Sequence, residues 1–326
     1  MSAPTLLDVA NAAGVATSTA SRALSNPGRV SAATRLRIEE AARAVGYARP
    51  SRGRSAGRTH AVAVLVADIS NPFYFDIIRG TQLQLRAANY TQVLIDTEES
   101  GELEADLINR MRASFDGVVL AASRLSDRAI TELAETVPLV VINRNVPKVP
   151  SVVIDTATGM DQALEHLVSL GHRSIVYVSG PERSWANAVR WRALTAAAER
   201  HDVALSRVGP FAPRRTAGSA AADAVLNSGA TGAIAYNDLL AIGMLGRLAE
   251  RGVSVPGRLS IVGCDDIFGA DFCNPPLTTV TAPIDQAGRV AVALLLGMLE
   301  SRSGGRRDAV MLPTHLTVRT STGAAP

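Results

Sequence analysis

The sequence is poor in the residues that build staples, redox centres and membrane spans. Its 326 residues include two cysteines, Cys264 and Cys273, with neither CxxC spacing nor a histidine cluster nearby. They read as thiols of a reducing cytosol, with a disulfide between them left open. Aromatics make up only 4% of the chain, and Lys148 is the single lysine beside 32 arginines, a bias that reflects base composition more than function. No apolar run approaches the roughly 20 residues that cross a bilayer; the stretch from Val290 to Leu299 is broken by Gly297. Met1 to Pro4 carry no charged segment leading into an apolar one, so no secretory signal is expected. The HExxH, GxSxG and GxxxxGK[ST] patterns are missing, and His60, His166, His172, His201 and His315 are scattered. No catalytic residue, metal or cofactor is therefore expected. His166 and His172 read as structural residues near helix ends.

Length allows two or three domains and an ample core. The modest net charge of +3 hides a split: residues 1 to 60 hold nine arginines against Asp8, Glu39 and Glu40, a balance of +6 that leaves −3 on the rest. A basic N-terminal piece on a mildly acidic body is the charge pattern of a polyanion-binding module joined to a second activity.

That piece reads as three short helices. Thr5-Leu-Leu-Asp8 has the spacing of a capping box, in which the Thr hydroxyl and the carboxylate satisfy the first free amides. Leu6, Val9, Ala10 and Ala13 form an apolar face, and Gly14 supplies the turn. A second helix, about Thr17 to Leu24, turns Ala20, Ala23 and Leu24 inward and Thr17, Ser18, Thr19, Ser21 and Arg22 outward. A third runs from a Ser31 cap through Leu36, Ile38, Ala41, Ala42 and Val45 to Gly46. The arrangement is a helix-turn-helix, with a second helix of small hydroxyls and one arginine suited to a major groove.

From residue 61 the pattern becomes alternating strands and helices: strand Ala61 to Ala67, helix Phe73 to Ala88, strand Thr91 to Ile95, helix Leu103 to Met111, and strands Val118 to Ala121 and Leu139 to Ile142. After Asp155 the rhythm restarts, with a helix from about 159 to 170, and strands at Ser174 to Val178, Ala233 to Tyr236 and Ser260 to Gly263. The expected fold class is α/β: a three-helix headpiece followed by two doubly wound lobes of parallel sheet, with ligand contacts at the carboxyl ends of the strands.

Several motifs resemble the LacI/GalR family of bacterial transcription regulators: Thr5 to Ala10, Ala13-Gly-Val15, Thr19 to Leu24, Asn26 to Ser31 and Val45-Gly-Tyr47 in the headpiece. Further on they include Asp68 to Tyr74, Leu170-Gly-His-Arg173, Tyr236-Asn-Asp238, Leu259 to Gly263 with Asp265-Asp266, and Pro275 to Val280. The resemblance implies a headpiece over 1–47, a hinge over 48–60 and a periplasmic-binding-protein-like core over 61–326. Lobe one would take about 61–158 and 284–313, and lobe two about 159–283 and 314–326. It implies base contacts by Thr17, Ser18 and Arg22, and phosphate contacts by Thr5, Thr19, Ser21 and Arg29. It further implies a cytoplasmic homodimer on double-stranded operator DNA, acting as a repressor and answering to a small polar effector, a sugar or sugar derivative. With no leucine heptad after Val318, a tetramerisation helix is not expected. The alternative is a small-molecule sensor that no longer binds an operator.

Effector candidates by position are Phe73, Tyr74, Asn143, Arg144, Ser184, Arg190, Asn237 and Asp265, with Trp185 to stack on a ligand ring and Trp191 to pack in the core. Asp265 could equally cap a helix and Arg190 form an ordinary salt bridge. Three departures from the family pattern stand out. Ala16 has no side-chain oxygen to cap the recognition helix, position 188 is Ala where several sugar-responsive relatives have Arg, and the hinge lacks the usual minor-groove leucine. Arg49, Arg52 and Arg54 stand there instead, suited to a narrow, electronegative minor groove or to phosphates. Without an apolar wedge this protein should bend its operator less than leucine-hinged relatives do. Circular-permutation gel shifts should give the smaller bend angle, and a strong central kink would overturn the expectation.

Overall fold

The computed structural model describes residues 5–25, 30–45, 58–300 and 309–326. Arg29, Arg49, Arg52 and Arg54 lie outside them. The chain divides into two compact units, one ending at Arg58 and the other starting at Thr59.

The first unit holds α1 (Leu6–Ala13), α2 (Thr17–Ser25) and α3 (Ala32–Ala44). The capping box forms: Thr5 N donates to Asp8 Oδ2 at 2.7 Å, and Asp8 N to Thr5 Oγ1 at 3.4 Å. Gly14 ends α1 in the left-handed conformation, φ 62°. At the start of α2 the Ala16 carbonyl accepts from Thr19 N and Ala20 N, at 2.8 and 3.0 Å. Ser31 Oγ accepts from Thr34 N at 3.3 Å, capping α3. Val9, Ala10, Ala13, Ala20, Ala23, Ile38, Ala41 and Ala42 form the core. Leu36 of α3 lies outside this core and is 52% exposed. It precedes Ile38 by two residues, about 200° around a helix, so the two cannot share a face.

The second unit carries two six-stranded sheets, ordered β11-β5-β4-β3-β1-β2 and β12-β10-β9-β8-β6-β7. The first contains β1 (Ala61–Val66), β2 (Thr91–Asp96), β3 (Gly117–Ala121), β4 (Leu139–Ile142), β5 (Ser151–Ile154) and β11 (Val310–Leu312). The second contains β6 (Ser174–Val178), β7 (Ala204–Val208), β8 (Gly232–Ala235), β9 (Ser260–Asp265), β10 (Thr278–Thr281) and β12 (His315–Thr317). Every pairing is parallel except β10 with β12. Such strands need apolar side chains on both faces, which is why β4 reads Leu-Val-Val-Ile and is buried throughout. The chain passes from one sheet to the other after β5, returns after β10, and passes again after β11.

Helix α7 (Thr156–Ser169) begins three residues earlier than its periodicity predicts, because Asp155 caps it, accepting from Thr158 N at 3.2 Å. His172 is fully buried, bonded to Thr231 Oγ1 and Ser260 Oγ at 2.9 Å each and to the Gly323 carbonyl at 3.1 Å. His166 meets Thr322 Oγ1 at 2.9 Å, so both rings hold the C-terminal segment onto the second sheet. Both cysteines are free thiols. No helix among the described residues is long and apolar enough to cross a membrane.

Helices α4 (Phe73–Ala87) and α11 (Ile284–Glu300) cover one face of the first sheet in direct contact. A Cβ on Gly80 would stand 2.1 Å from the Asp285 carbonyl oxygen, and one on Gly288 would stand 2.6 Å from that of Ile77. Both neighbours are backbone, which cannot yield as a side-chain tip can. Gly80→Ala should therefore cost about 1–3 kcal/mol, the usual range for overpacking. Urea unfolding measures it, and an unchanged midpoint would show that the helices can part.

Candidate functional site

The outward face of α2 is small and polar. Thr17, Ser18, Ser21 and Arg22 are exposed and Thr19 is half-buried, while Ala20 and Ala23 turn into the core. Thr17 with Ser21, and Ser18 with Arg22, form two i,i+4 pairs side by side on that face. Thr5 is exposed at the start of α1, but its hydroxyl is engaged, donating to Asp8 Oδ2 at 2.7 Å.

In the second unit a chamber lies where the two sheets present the carboxyl ends of their strands. Its wall comprises Asn71, Phe73, Tyr74, Glu99, Ala122, Arg124 and Asn143 from the side of the first sheet, and Arg190, Pro213, Tyr236, Asn237 and Asp265 from the second. Three strands end here in left-handed backbone on residues other than glycine: Ala122 after β3 (φ 55°), Asn143 after β4 (φ 59°) and Asp265 ending β9 (φ 115°). Such conformations persist only where the surroundings over-determine them, and they cluster at binding sites.

Arg190, on α8 (Trp185–Arg200), is the centre of the second-sheet half. Its Nη2 donates to Asp265 Oδ1 at 3.3 Å, its Nη1 donates to the Tyr236 carbonyl, and its guanidinium carbon lies 4.9 Å from the Tyr236 ring centroid. Arg190 Nε and Asn143 Oδ1 are buried without a hydrogen-bond partner, one donor and one acceptor on opposite walls. Asn237 caps α10 (Asp238–Glu250), accepting from Leu240 N at 3.0 Å, while its Nδ2 donates to the Pro213 carbonyl at 3.1 Å. Burial pushes the Asp265 carboxyl up to about 6, against the opposing pull of Arg190.

Six of the nine effector candidates thus meet in one wall: Phe73, Tyr74, Asn143, Arg190, Asn237 and Asp265. Arg144, Ser184 and Trp185 do not line it. The Arg144 guanidinium turns away to the carbonyls of Ser123 and Leu125 and to Asp127, locking the loop after β3. Ser184 caps α8 through Asn187 N at 3.2 Å and meets the Tyr236 hydroxyl at 3.0 Å, so it stands one contact behind the wall. Trp185 is half-buried in the first turn of α8. Trp191 stacks on Tyr177 with centroids 5.9 Å apart and packs, half-buried, against the edge of the core. The sequence reading missed Asn71, Glu99, Arg124, Pro213 and Tyr236. Tyr236 ends a recognisable strand and could have been found; its ring lies over Gly180, where a Cβ would stand 2.4 Å from it. Glu99 and Arg124 form a 2.6 Å pair across 25 residues that no local pattern announces.

Outside the chamber, and sharing Glu99, Arg124 and Pro213 with it, lies a basin of about 550 Å³ that also involves Pro181, Glu182, Arg183, Pro210, Phe211, Ala212 and Arg214. Arg214 Nε reaches across to Asp68 Oδ2 at 3.0 Å, tying the 210–214 segment to the first-sheet side. Among the described residues no group of histidine, cysteine and acidic side chains could hold a metal ion.

A helix-turn-helix unit joined to two doubly wound sheets around a polar chamber defines the class of DNA-binding transcription regulators built on a binding-protein core. Residues 5–50 match bacterial regulatory proteins of the lacI family, and residues 164–322 match the periplasmic binding protein-like domain. The chain is similar to the HTH-type transcriptional repressor CytR of Escherichia coli K12, 35% identical over 336 residues covering 99% of this chain and 98% of the relative. Among solved structures it resembles a transcriptional regulator CelR–cellobiose complex, with TM-score 0.73, 29% identity, and 98% and 99% of the two chains covered. It also resembles a LacI family regulator from Enterococcus faecium with bound ribose, with TM-score 0.73, 29% identity, and 82% and 100% covered. The chain belongs to the lacI family of bacterial transcription regulators.

Behind the chamber wall Asp238 is fully buried, accepting from Thr279 Oγ1 at 2.6 Å and from Ile267 N at 2.9 Å. Gly263 makes room for it, since a Cβ there would stand 2.1 Å from Asp238 Oδ1. Burial, reinforced by the charge of Asp265, pushes the Asp238 carboxyl up to about 7. The unfolded chain releases that proton near pH 4. The contribution is therefore complete below about pH 4 and is lost as the pH rises to about 7. Asp238→Asn should remove this dependence, so that the variant gains stability relative to wild type between about pH 5 and pH 8. Parallel urea titrations measure the difference, from which other titrating groups cancel, and a flat difference would overturn the assignment.

Proposed function

We propose that this regulator is a cytoplasmic homodimeric repressor whose operator affinity is set by a small polar effector, a sugar or sugar derivative, held in the chamber. The observation that carries the reading is the convergence of Arg190, Asp265, Asn237 and Asn143 on one wall, with a buried donor and a buried acceptor left open. Directional groups of this kind match a hydroxyl-bearing ligand, and the cellobiose and ribose bound by the two structural relatives support the same class. In this reading Phe73 and Tyr74 cover an apolar ligand face, and Ser184 acts through Tyr236.

The two lobes, about 61–158 with 284–313 and about 159–283 with 314–326, are the bodies whose separation the effector controls. An effector that binds the open and closed arrangements equally would shift nothing, so affinity for the two must differ. Phe75 and Leu83 on α4, with Phe268 (80% exposed) and Phe272 (64% exposed), are apolar surface that a second copy would cover.

On DNA, Thr17, Ser18 and Arg22 read base edges, with Arg22 the candidate for a bidentate contact to guanine. Thr5, Thr19, Ser21 and Arg29 hold phosphates and set register. Footprinting on a pseudo-palindromic operator tests this: wild type should protect two half-sites, and Arg22→Ala should weaken binding by about tenfold or more. Absence of protection by wild type would favour a sensor that has lost its operator.

A further inference from the structure

We infer that Asp116 sets the spacing of the two operator half-sites this protein accepts, by clasping the chain where it enters the second unit and so fixing the point from which the arginine-rich linker reaches out. The inference rests on the reading of a homodimer on a two-part operator, and it adds a residue that decides which two-part sites qualify.

The clasp is a single carboxylate. Asp116 Oδ1 accepts from Thr59 N at 2.7 Å and from Thr59 Oγ1 at 2.8 Å, and Oδ2 accepts from His60 N at 2.9 Å. All three donors belong to two consecutive residues, 57 and 56 positions away in sequence. An aspartate that merely closes its own turn bonds the backbone of its neighbours. This one is spent on the end of the linker, through bonds that an ionised acceptor makes roughly twice as strong as neutral ones.

Both sides of the clasp are anchored in the first sheet. The Asp116 N–H donates to the Ala61 carbonyl at 2.8 Å, and the next residue, Gly117, opens β3 in register with Val62 of β1. The His60 carbonyl accepts from Thr91 N at 2.7 Å, and its ring centroid lies 5.1 Å from that of Tyr90. The His60 backbone is left-handed, φ 52°, a conformation that a histidine keeps only where its surroundings over-determine it. Thr59 is exposed, and among the described residues its remaining hydrogen bond is local, from Ala61 N to its Oγ1 at 3.3 Å. Without the carboxylate, Thr59 joins the linker and His60 is held on one side only.

Half-site spacing is then a question of length. An extended chain gains at most about 3.5 Å per residue, so release of Thr59 and His60 lengthens each linker by up to about 7 Å. That is about two base pairs at about 3.4 Å each, on each of two protomers. Two joined binding modules reinforce each other only while the link spans both sites. Clasped linkers therefore admit a narrow set of spacings, and released linkers admit a wider one.

Gel shifts with the full-length protein test the inference. Half-sites are first selected by the wild-type protein from randomised duplex DNA, then rejoined with central spacers from two base pairs shorter to two longer than the selected one. At the longest spacer wild type should lose about tenfold or more in affinity, and Asp116→Ala about threefold or less. Loss of folded protein weakens binding to every spacer alike, so the ratio between spacers separates the clasp from a merely structural role. Asp116→Asn, which can accept through one oxygen only, and Thr59→Ala, which removes one bond from the linker side, should each broaden the profile to a lesser degree. An unchanged ratio in Asp116→Ala, or in both milder variants should Asp116→Ala fail to fold, would overturn the inference, as would a wild-type profile already flat across spacers. Selection that returns no two-part site would remove the operator reading and this inference together.

Discussion

A guanidinium with 2% of its residue exposed must be met by its surroundings, and much of the chamber follows from how Arg190 is met. Removing such a charge from water costs several kcal/mol. The second lobe meets it with its own groups: the Asp265 carboxylate, the Tyr236 carbonyl and the Tyr236 ring. Placing that carboxylate requires the left-handed end of β9, and placing the ring requires Gly180 beneath it and the Ser184 hydroxyl at its tip. The fixed charge of the chamber thus belongs largely to one lobe. The opposing wall contributes Asn71, Phe73, Tyr74 and Asn143, which can be drawn up to a ligand or withdrawn without breaking the Arg190–Asp265 pair.

Glu99 and Arg124 form the exception on the first-lobe side, and they too are self-contained. Arg124 gives its Nε to Glu99 and its Nη1 to the Ala122 carbonyl, at 2.6 and 2.8 Å, while its backbone N donates to the buried Glu104 at 3.1 Å. Arg144 completes the loop from below. In the chamber wall each side therefore neutralises its own arginine. The Arg214–Asp68 contact is an ion pair that joins the second-sheet side to the first across the basin, and its arginine side chain is half exposed.

Much of this arrangement was legible in the sequence, for reasons that differ by element. Apolar runs of four to six residues can only be buried strands here, and in such folds the residue just past a strand faces the ligand. Position alone therefore found Asn143, Asn237 and Asp265. Position near the start of a helix found Arg190 as well, but nothing local announces its pairing with Asp265, which spans 75 residues. Position failed one residue further along, at Arg144, because the left-handed turn at Asn143 redirects the chain and sends the next side chain back over the β3 loop. The Asp155 cap was overlooked because the aspartate directly after β5 reads as the end of the strand while it caps α7. Ser184 illustrates a different limit: a cap and a ligand contact call for the same side chain at the same helix position, and only coordinates separate them.

The glycine contact between α4 and α11 bears on more than stability. Backbone touches backbone there, with no side-chain layer between the helices to compress or re-rotamerise. The pair must therefore travel as one body. Its leading end is Phe73 and Tyr74 in the chamber wall, and its flank is the solvent-facing Phe75 and Leu83. A shift of Phe73 and Tyr74 in the chamber wall would therefore carry that flank with it, as in a gear train cut without backlash.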